Sequence, residues 1–283
     1  MPRLIVVTGA SAGIGKATAK RFAETAEKTG TAENTGTVEK TGAAENAETP
    51  ENKVKVLLIA RGRDRLARAA EEIEASVPGA DVEPLALDMS DPASAETLQN
   101  HVRATGLPVD SLLCCAGAVP QSEDGPEGPE GKDLRTVLTE WQEAYEANVL
   151  TSVIAVEGLL PLMADGGSIV LYSSIAAYRG SRGTGGYGAA KAALHAYVHA
   201  LATRLGPRGI SVNAIAPGYI AGTDLFGDGL SAARETMLVR QTALRRAGDP
   251  AEVAELGFYL CSPPGGYVTS QILQINGGSY HGV

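Results

Sequence analysis

The chain has 283 residues, is 44% hydrophobic and carries a formal net charge of −9. That acidity disfavours nucleic acid, which demands a basic footprint. No apolar run reaches the ~20 residues needed to cross a bilayer, since the longest candidate, Val149 to Met163, is interrupted by Glu157 and Pro161. The N-terminal apolar run is too short for a signal peptide, and the three cysteines do not suggest a disulfide framework. A cytoplasmic protein is the expectation.

Leu4-Ile-Val-Val7 marks a first strand near 3–8, followed at once by Thr8-Gly-Ala-Ser-Ala-Gly-Ile-Gly15 and a helical segment near 13–26. Strand, glycine-rich turn and helix in that order form a nucleotide-binding hypothesis. Gly9, Gly13 and Gly15 let the backbone turn tightly and let a pyrophosphate approach it. The helix N-terminus then offers unpaired N–H groups and the positive end of its dipole. The spacing departs from the commoner G-x-G-x-x-G, so the turn by itself is a weak signal. Residues 24–52 read as a six-residue near-repeat (TAEKTG, TAENTG, TVEKTG) with almost no large apolar side chains. Such a segment cannot offset its ordering entropy and reads as a flexible low-complexity insertion.

Further strands are predicted near 54–60, 82–87, 110–115, 168–173, 210–215 and 271–275, with helices near 63–76, 91–105, 139–163, 186–206 and 249–261. Asp91-Pro92 and Asp249-Pro250 each place an N-cap before a proline at the first helical position. Alternating β and α with apolar strands implies one α/β domain over 1–283, its parallel sheet covered on both faces. Ligands on such a sheet bind beyond the carboxyl ends of the strands, and the helix-to-strand insertion at 24–52 lies at the opposite end. Cys114 and Cys115 should point to opposite faces as reduced core residues. The Gly-, Pro- and acid-rich stretch from Ala118 to Asp133 reads as a solvated loop on the ligand side.

Ser174 ends an apolar run, Tyr187 follows thirteen residues later, and Lys191 four residues after that. On a helix, residues four apart share a face, so the phenol and the ammonium can converge. A free phenol is a poor acid, with a pKa of ~10; a neighbouring ammonium lowers it into a range useful for proton transfer. A surface Tyr–Lys pair on an amphipathic helix is the plainer alternative. His195 and His199 lie on the same helix at four-residue steps and read as surface or subunit-contact residues rather than a metal pair.

Taken together, TGASAGIG, Asp88, Cys114-Cys-Ala-Gly117, Asn148 in YEANVL, Ser174/Tyr187/Lys191, Pro217-Gly218 and the ending GGYVTSQILQINGG resemble the short-chain dehydrogenase/reductase family from Leu4 to about Gly278. The resemblance implies a Rossmann-type doubly wound parallel sheet of about seven strands. It also implies a catalytic set of Asn148, Ser174, Tyr187 and Lys191. The implied cofactor shell begins with Gly9, Ser11, Gly13, Ile14 and Gly15. It continues through Arg61 at the ribose, Asp88 and Met89 at the adenine, and Ala116 and Gly117 at the strand end. Tyr187 and Lys191 would flank the nicotinamide ribose, and Pro217, Gly218, Ile220 and Thr223 the carboxamide, although Gly222 adds a residue before Thr223. Asn148 would hold a helix distortion, while Cys115 stands where an asparagine usually braces the strands.

Ala60 stands where NAD-binding relatives carry an acid, and Arg61 follows it; arginine pairs well with phosphate. The implied cofactor is therefore NADP(H) rather than NAD(H), although Ala12 stands where a second basic residue is often found. The pattern is most like bacterial 3-oxoacyl-thioester reductases. The implied activity is NADPH-dependent reduction of a ketone or 3-oxoacyl thioester. Secondary-alcohol oxidation and a non-catalytic NADP sensor are the alternatives. Arg208 matches a carrier-docking position, but Asp165 and the overall charge oppose an acidic carrier. A free small-molecule substrate ranks first. The implied homodimer or homotetramer would form through 139–163 and 186–206.

Overall fold

The computed structural model describes residues 2–25, 53–119, 131–181, 183–226 and 230–281. Most of the 24–52 repeat and of the 118–133 loop lies outside them. Seven strands form one sheet: β1 (Arg3–Thr8), β2 (Val54–Ala60), β3 (Asp81–Ala86), β4 (Val109–Cys114), β5 (Met163–Tyr172), β6 (Ser211–Pro217) and β7 (Ile272–Ile275). All pair in parallel, in the order β3-β2-β1-β4-β5-β6-β7. The order reverses between β1 and β4, the crevice where such a sheet binds its ligand.

Strand residues alternate between two cores because successive side chains point to opposite faces. Leu4 and Val6 join one buried cluster, Ile5 and Val7 the other. The first cluster packs under α3 (Ala93–Thr105), α5 (Thr151–Leu159) and α7 (Gly186–Leu205), through Leu98, Val156 and Leu194 among others. The second packs under α1 (Gly13–Ala23), α2 (Arg63–Ser76) and α9 (Pro250–Leu260), through Phe22, Leu66 and Val253. Both faces of the sheet are thus covered by helices, which is why its strands read as near-continuous apolar runs.

Four local expectations need correction. The single helix over 139–163 is instead α4 (Leu134–Tyr145), a π-helical turn at Glu146–Leu150, and α5. It starts earlier because Asp133 caps it, accepting from the Thr136 N–H at 2.9 Å, and it ends at Leu159, so that β5 begins at Met163. Pro92 is the N-cap of α3 rather than its first residue, while the Asp91 carboxylate accepts from Ala93 N–H at 2.9 Å. Two helices lack a prediction: the short α6 (Ala176–Arg179) and α8 (Ala232–Gln241). None of α8's residues is buried, so its sequence lacks the apolar stripe from which helices are read. At α9, by contrast, Asp249 and Glu252 form the full capping box expected of Asp249-Pro250. Among the described residues no helix is long and apolar enough to cross a membrane.

Candidate active site

A cleft of about 630 Å³ opens at the carboxyl ends of the strands. Its floor is the turn after β1. Gly9 takes a left-handed φ of 66°, and a Cβ there would lie 2.7 Å from the Ala116 nitrogen. A Cβ on Gly15 would run into the Gly9 carbonyl. The bare backbone packs strand end against helix start and leaves the N-terminus of α1 facing the cleft. This cradle, which side chains would fill, fits a dinucleotide pyrophosphate. Ser11, Gly13 and Ile14 line the same turn, and Thr223 closes on Gly13 from the far side. The extra Gly222 has not displaced Thr223 from the cleft.

Arg61, Asp88 and Met89 line one end of the cleft, Ala116 and Gly117 its middle, and Pro217, Gly218 and Ile220 the other end. Asp88 Oδ1 accepts from the backbone N–H and hydroxyl of Ser90, at 3.0 and 2.7 Å. Those bonds, with a smaller contribution from Arg61, hold its carboxyl below the usual range. Arg61 is exposed and forms no ion pair among the described residues. Beside it lies a clasp: Arg65 of α2 pairs with Asp224, joining the two walls. Two charged residues 159 positions apart carry no local sequence signal of such a pairing.

At the other end Ser174, Tyr187 and Lys191 all face the cleft. Lys191 is only 4% exposed. Its Nζ lies 5.9 Å from the centre of the Tyr187 ring and donates to the Tyr172 carbonyl at 2.8 Å. Burial pulls its pKa down to about 8, which still leaves the ammonium the main form at neutral pH. The Ser174 Oγ accepts from the Ala176 N–H at 3.1 Å, so its own proton is directed elsewhere. Tyr187 is 6% exposed, in the first turn of α7. The loop before it is tied down from α4. Thr184 donates its hydroxyl to the buried Glu140 at 3.0 Å, Lys132 pairs with Glu140 at 2.6 Å, and the Trp141 indole N–H reaches the Thr184 carbonyl at 3.1 Å.

Asn148 does not line the cleft but stands behind it, fully buried in the π turn. Its amide nitrogen donates to the carbonyls of Ala118 and Ala144, at 2.7 and 2.9 Å, and its oxygen accepts from Ala118 N–H at 3.1 Å. The bulge in the helix thereby clamps the chain leaving β4. Ser173, also missed from sequence, donates to the Lys191 carbonyl at 3.1 Å and shares a 2.8 Å hydrogen bond with His195 Nε2. His199 bonds the Ser270 hydroxyl at 2.8 Å, so both histidines serve α7 packing. Among the described residues no cluster of three or more metal-ligand side chains occurs. Cys114 and Cys115 do face opposite cores, and both are free thiols. Burial pushes the Cys115 thiol up to about 12, beside the Tyr172 and Thr18 hydroxyls. Those two hydroxyls lie 3.3 Å apart.

A second cavity of about 440 Å³ adjoins the first, and Ser174 and Tyr187 line both. Its far wall comes from α6 and α8, including Arg179, Arg234 and Met237.

Comparison with known proteins agrees with this architecture. The family described as Enoyl-(Acyl carrier protein) reductase matches residues 36–280. Protein FixR of Bradyrhizobium diazoefficiens is 32% identical over 282 residues, which cover 99% of this chain and 87% of the relative. The 3-oxoacyl-[acyl-carrier-protein] reductase FabG of Salmonella typhimurium is 30% identical over 229 residues, 79% of this chain and 89% of that protein. The crystal structure of a 3-oxoacyl-[acyl-carrier protein] reductase from Brucella melitensis superposes with a TM-score of 0.77 at 27% identity, covering 99% of this chain and 92% of that one. A family match over most of the chain, on the same doubly wound sheet, means that the chain belongs to the short-chain dehydrogenase/reductase superfamily of NAD(P)H-dependent oxidoreductases.

Proposed function

We propose that residues 1–283 form one catalytic domain, an NADPH-dependent reductase of a ketone or 3-oxoacyl thioester. The observation that carries this reading is the position of Ser174 and Tyr187 at the junction of the two cavities, with Lys191 buried against the phenol. The glycine turn, Ala116, Gly117 and the Pro217–Thr223 wall would hold the dinucleotide. When bound, the reduced nicotinamide supplies a hydride to the carbonyl carbon. Ser174, whose Oγ already accepts from Ala176, gives its own proton to a hydrogen bond with the carbonyl oxygen. Tyr187 protonates that oxygen as negative charge develops on it. The Lys191 ammonium favours the phenolate that remains and anchors the nicotinamide ribose. Asn148, acting through Ala118, fixes the strand end beneath them.

Arg61 supports NADP(H). It stands exposed at the cleft end and forms no ion pair among the described residues, leaving its guanidinium available to a 2′-phosphate. Arg208 supports a free substrate over a carrier-bound one. It bonds Asp165 at 2.8 Å and the carbonyls of Leu160 and Met163 at 3.2 and 2.6 Å, so its donors are engaged within the fold. A homodimer or homotetramer is supported by an exposed apolar stripe on α4, Leu134, Leu138, Trp141 and Tyr145, at helical spacing. The exposed Ala189, Ala196 and Ala200 of α7 continue it with small residues that allow close helix approach.

The test is NADPH and NADH oxidation against a panel of ketones and 3-oxoacyl thioesters, with Tyr187→Phe and Arg61→Ser alongside. Tyr187→Phe should lower kcat by orders of magnitude while NADPH still binds. Arg61→Ser should raise the KM for NADPH more than for NADH. Near-normal turnover by Tyr187→Phe would overturn the assignment.

A further inference from the structure

The substrate-side cavity differs in charge from the rest of the molecule. The chain carries −9 overall, yet among the described residues this cavity is lined by two arginines, Arg179 and Arg234, and no acid. Glu143 and Glu146 line only the neighbouring cofactor cleft. Arg179 ends α6, five residues after Ser174 in the chain, and rises on the same wall. Among the described residues its one hydrogen bond is to a neutral partner, Gln241 Oε1 on α8, at 3.1 Å. Among the described residues it forms no ion pair, whereas ten other arginine, lysine or histidine side chains, such as Arg208, Arg246 and Lys132, each reach a carboxylate. Burial holds its guanidinium somewhat below the ordinary value, the direction expected of a cation not offset by a nearby negative charge. The rest of the wall, Ile175, Leu225, Met237 and Leu238, is apolar. A cavity of about 440 Å³ holds a whole small molecule, so the anion and the reacting carbonyl would share it.

Building on the reductase reading, we infer that the substrate is an oxo acid: a carbonyl compound whose carboxylate pairs with Arg179 while its carbonyl meets Ser174 and Tyr187. Guanidinium and carboxylate match in a two-point hydrogen-bonded geometry. The apolar wall between them would select a short hydrocarbon spacer. Arg179 is then a specificity-determining residue.

The experiment compares kcat/KM for matched acid and ester pairs, 4-oxopentanoate against methyl 4-oxopentanoate and 5-oxohexanoate against its methyl ester. The wild type should favour the acid by roughly tenfold, the worth of one charge-assisted bond in a partly screened site. Arg179→Met should bring the acid/ester ratio close to one, Arg179→Glu should invert it, and Arg179→Lys should restore part of it. Equal use of acid and ester by the wild type, or a ratio that survives Arg179→Met, overturns the inference. A 3-oxoacyl coenzyme A thioester used much better than its N-acetylcysteamine counterpart, with no preference among the acid and ester pairs, assigns the anion to a phosphate and also overturns it. If no carbonyl is reduced, the reductase reading fails separately. Calorimetric titration of the NADPH complex with hexanoate and hexanamide then decides the anion question: tighter hexanoate binding that Arg179→Met abolishes supports it, and equal binding refutes it.

Discussion

Gly117→Ala adds one methyl group where three parts of the site meet. A Cβ at Gly117 would lie 2.7 Å from Asn148 Oδ1 and 3.0 Å from Lys191 Nζ, against the 3.4 Å at which ordinary contact begins. The amide must therefore retreat by about 0.7 Å, and the ammonium by about 0.4 Å. A retreat of that size would stretch the 3.1 Å bond from Ala118 N–H to Asn148 beyond hydrogen-bond range. Overpacking of this kind costs about 1–3 kcal/mol, and a lost buried hydrogen bond about 1 more. Both crowded atoms end polar side chains, so the fold should survive with a lowered Tm. Turnover should suffer more, because displacing positioned groups by a large fraction of an ångström costs roughly a hundredfold. The assay is a thermal melt with kcat and NADPH affinity measured on the same preparation. Gly206→Ala is the control, since a Cβ there meets nothing within 4 Å and its φ is −51°. A Gly117→Ala enzyme with the Tm and kcat of the Gly206→Ala control would refute the reasoning.

Lys191→Met should stabilise the fold at neutral pH despite abolishing activity. The folded pKa of about 8 lies below the 10.5 of the free side chain. Below pH 8 the buried ammonium therefore destabilises the fold by about 3 kcal/mol, and between about 8 and 10.5 the unfolded chain holds the extra proton, so this penalty fades as pH rises. Urea midpoints of wild type and variant should converge from pH 7 to 10, and a difference independent of pH would count against the buried ammonium. Deleting residues 27–50 should leave turnover intact, because α1 ends at Ala23 and β2 starts at Val54, joined at the end of the sheet opposite the cleft. A folded deletion variant without activity would give the repeat a role.

Much of the fold was legible because the information was local. Short continuous apolar runs marked the strands, Asp249-Pro250 marked a helix start, and a glycine turn between strand and helix marked the nucleotide end. Ser174, Tyr187 and Lys191 were legible for the same reason: strand end and helix face set their directions within eighteen residues of chain. The π turn was not, since a bulge is stabilised by Asn148 bonding to Ala118, thirty residues away. Nor was α8, whose half-exposed residues pack over the site and not on the sheet. The sequence by itself determined the order of the elements and the chemistry at the carboxyl ends of the strands, because both follow from periodicity and short spacing. Only the tertiary structure decided which charges meet or stay apart: Arg65 with Asp224 across the cleft, Arg208 with Asp165, Arg179 with no carboxylate among the described residues. Such encounters are set by how distant loops fold over one another, and no local pattern in the chain encodes them.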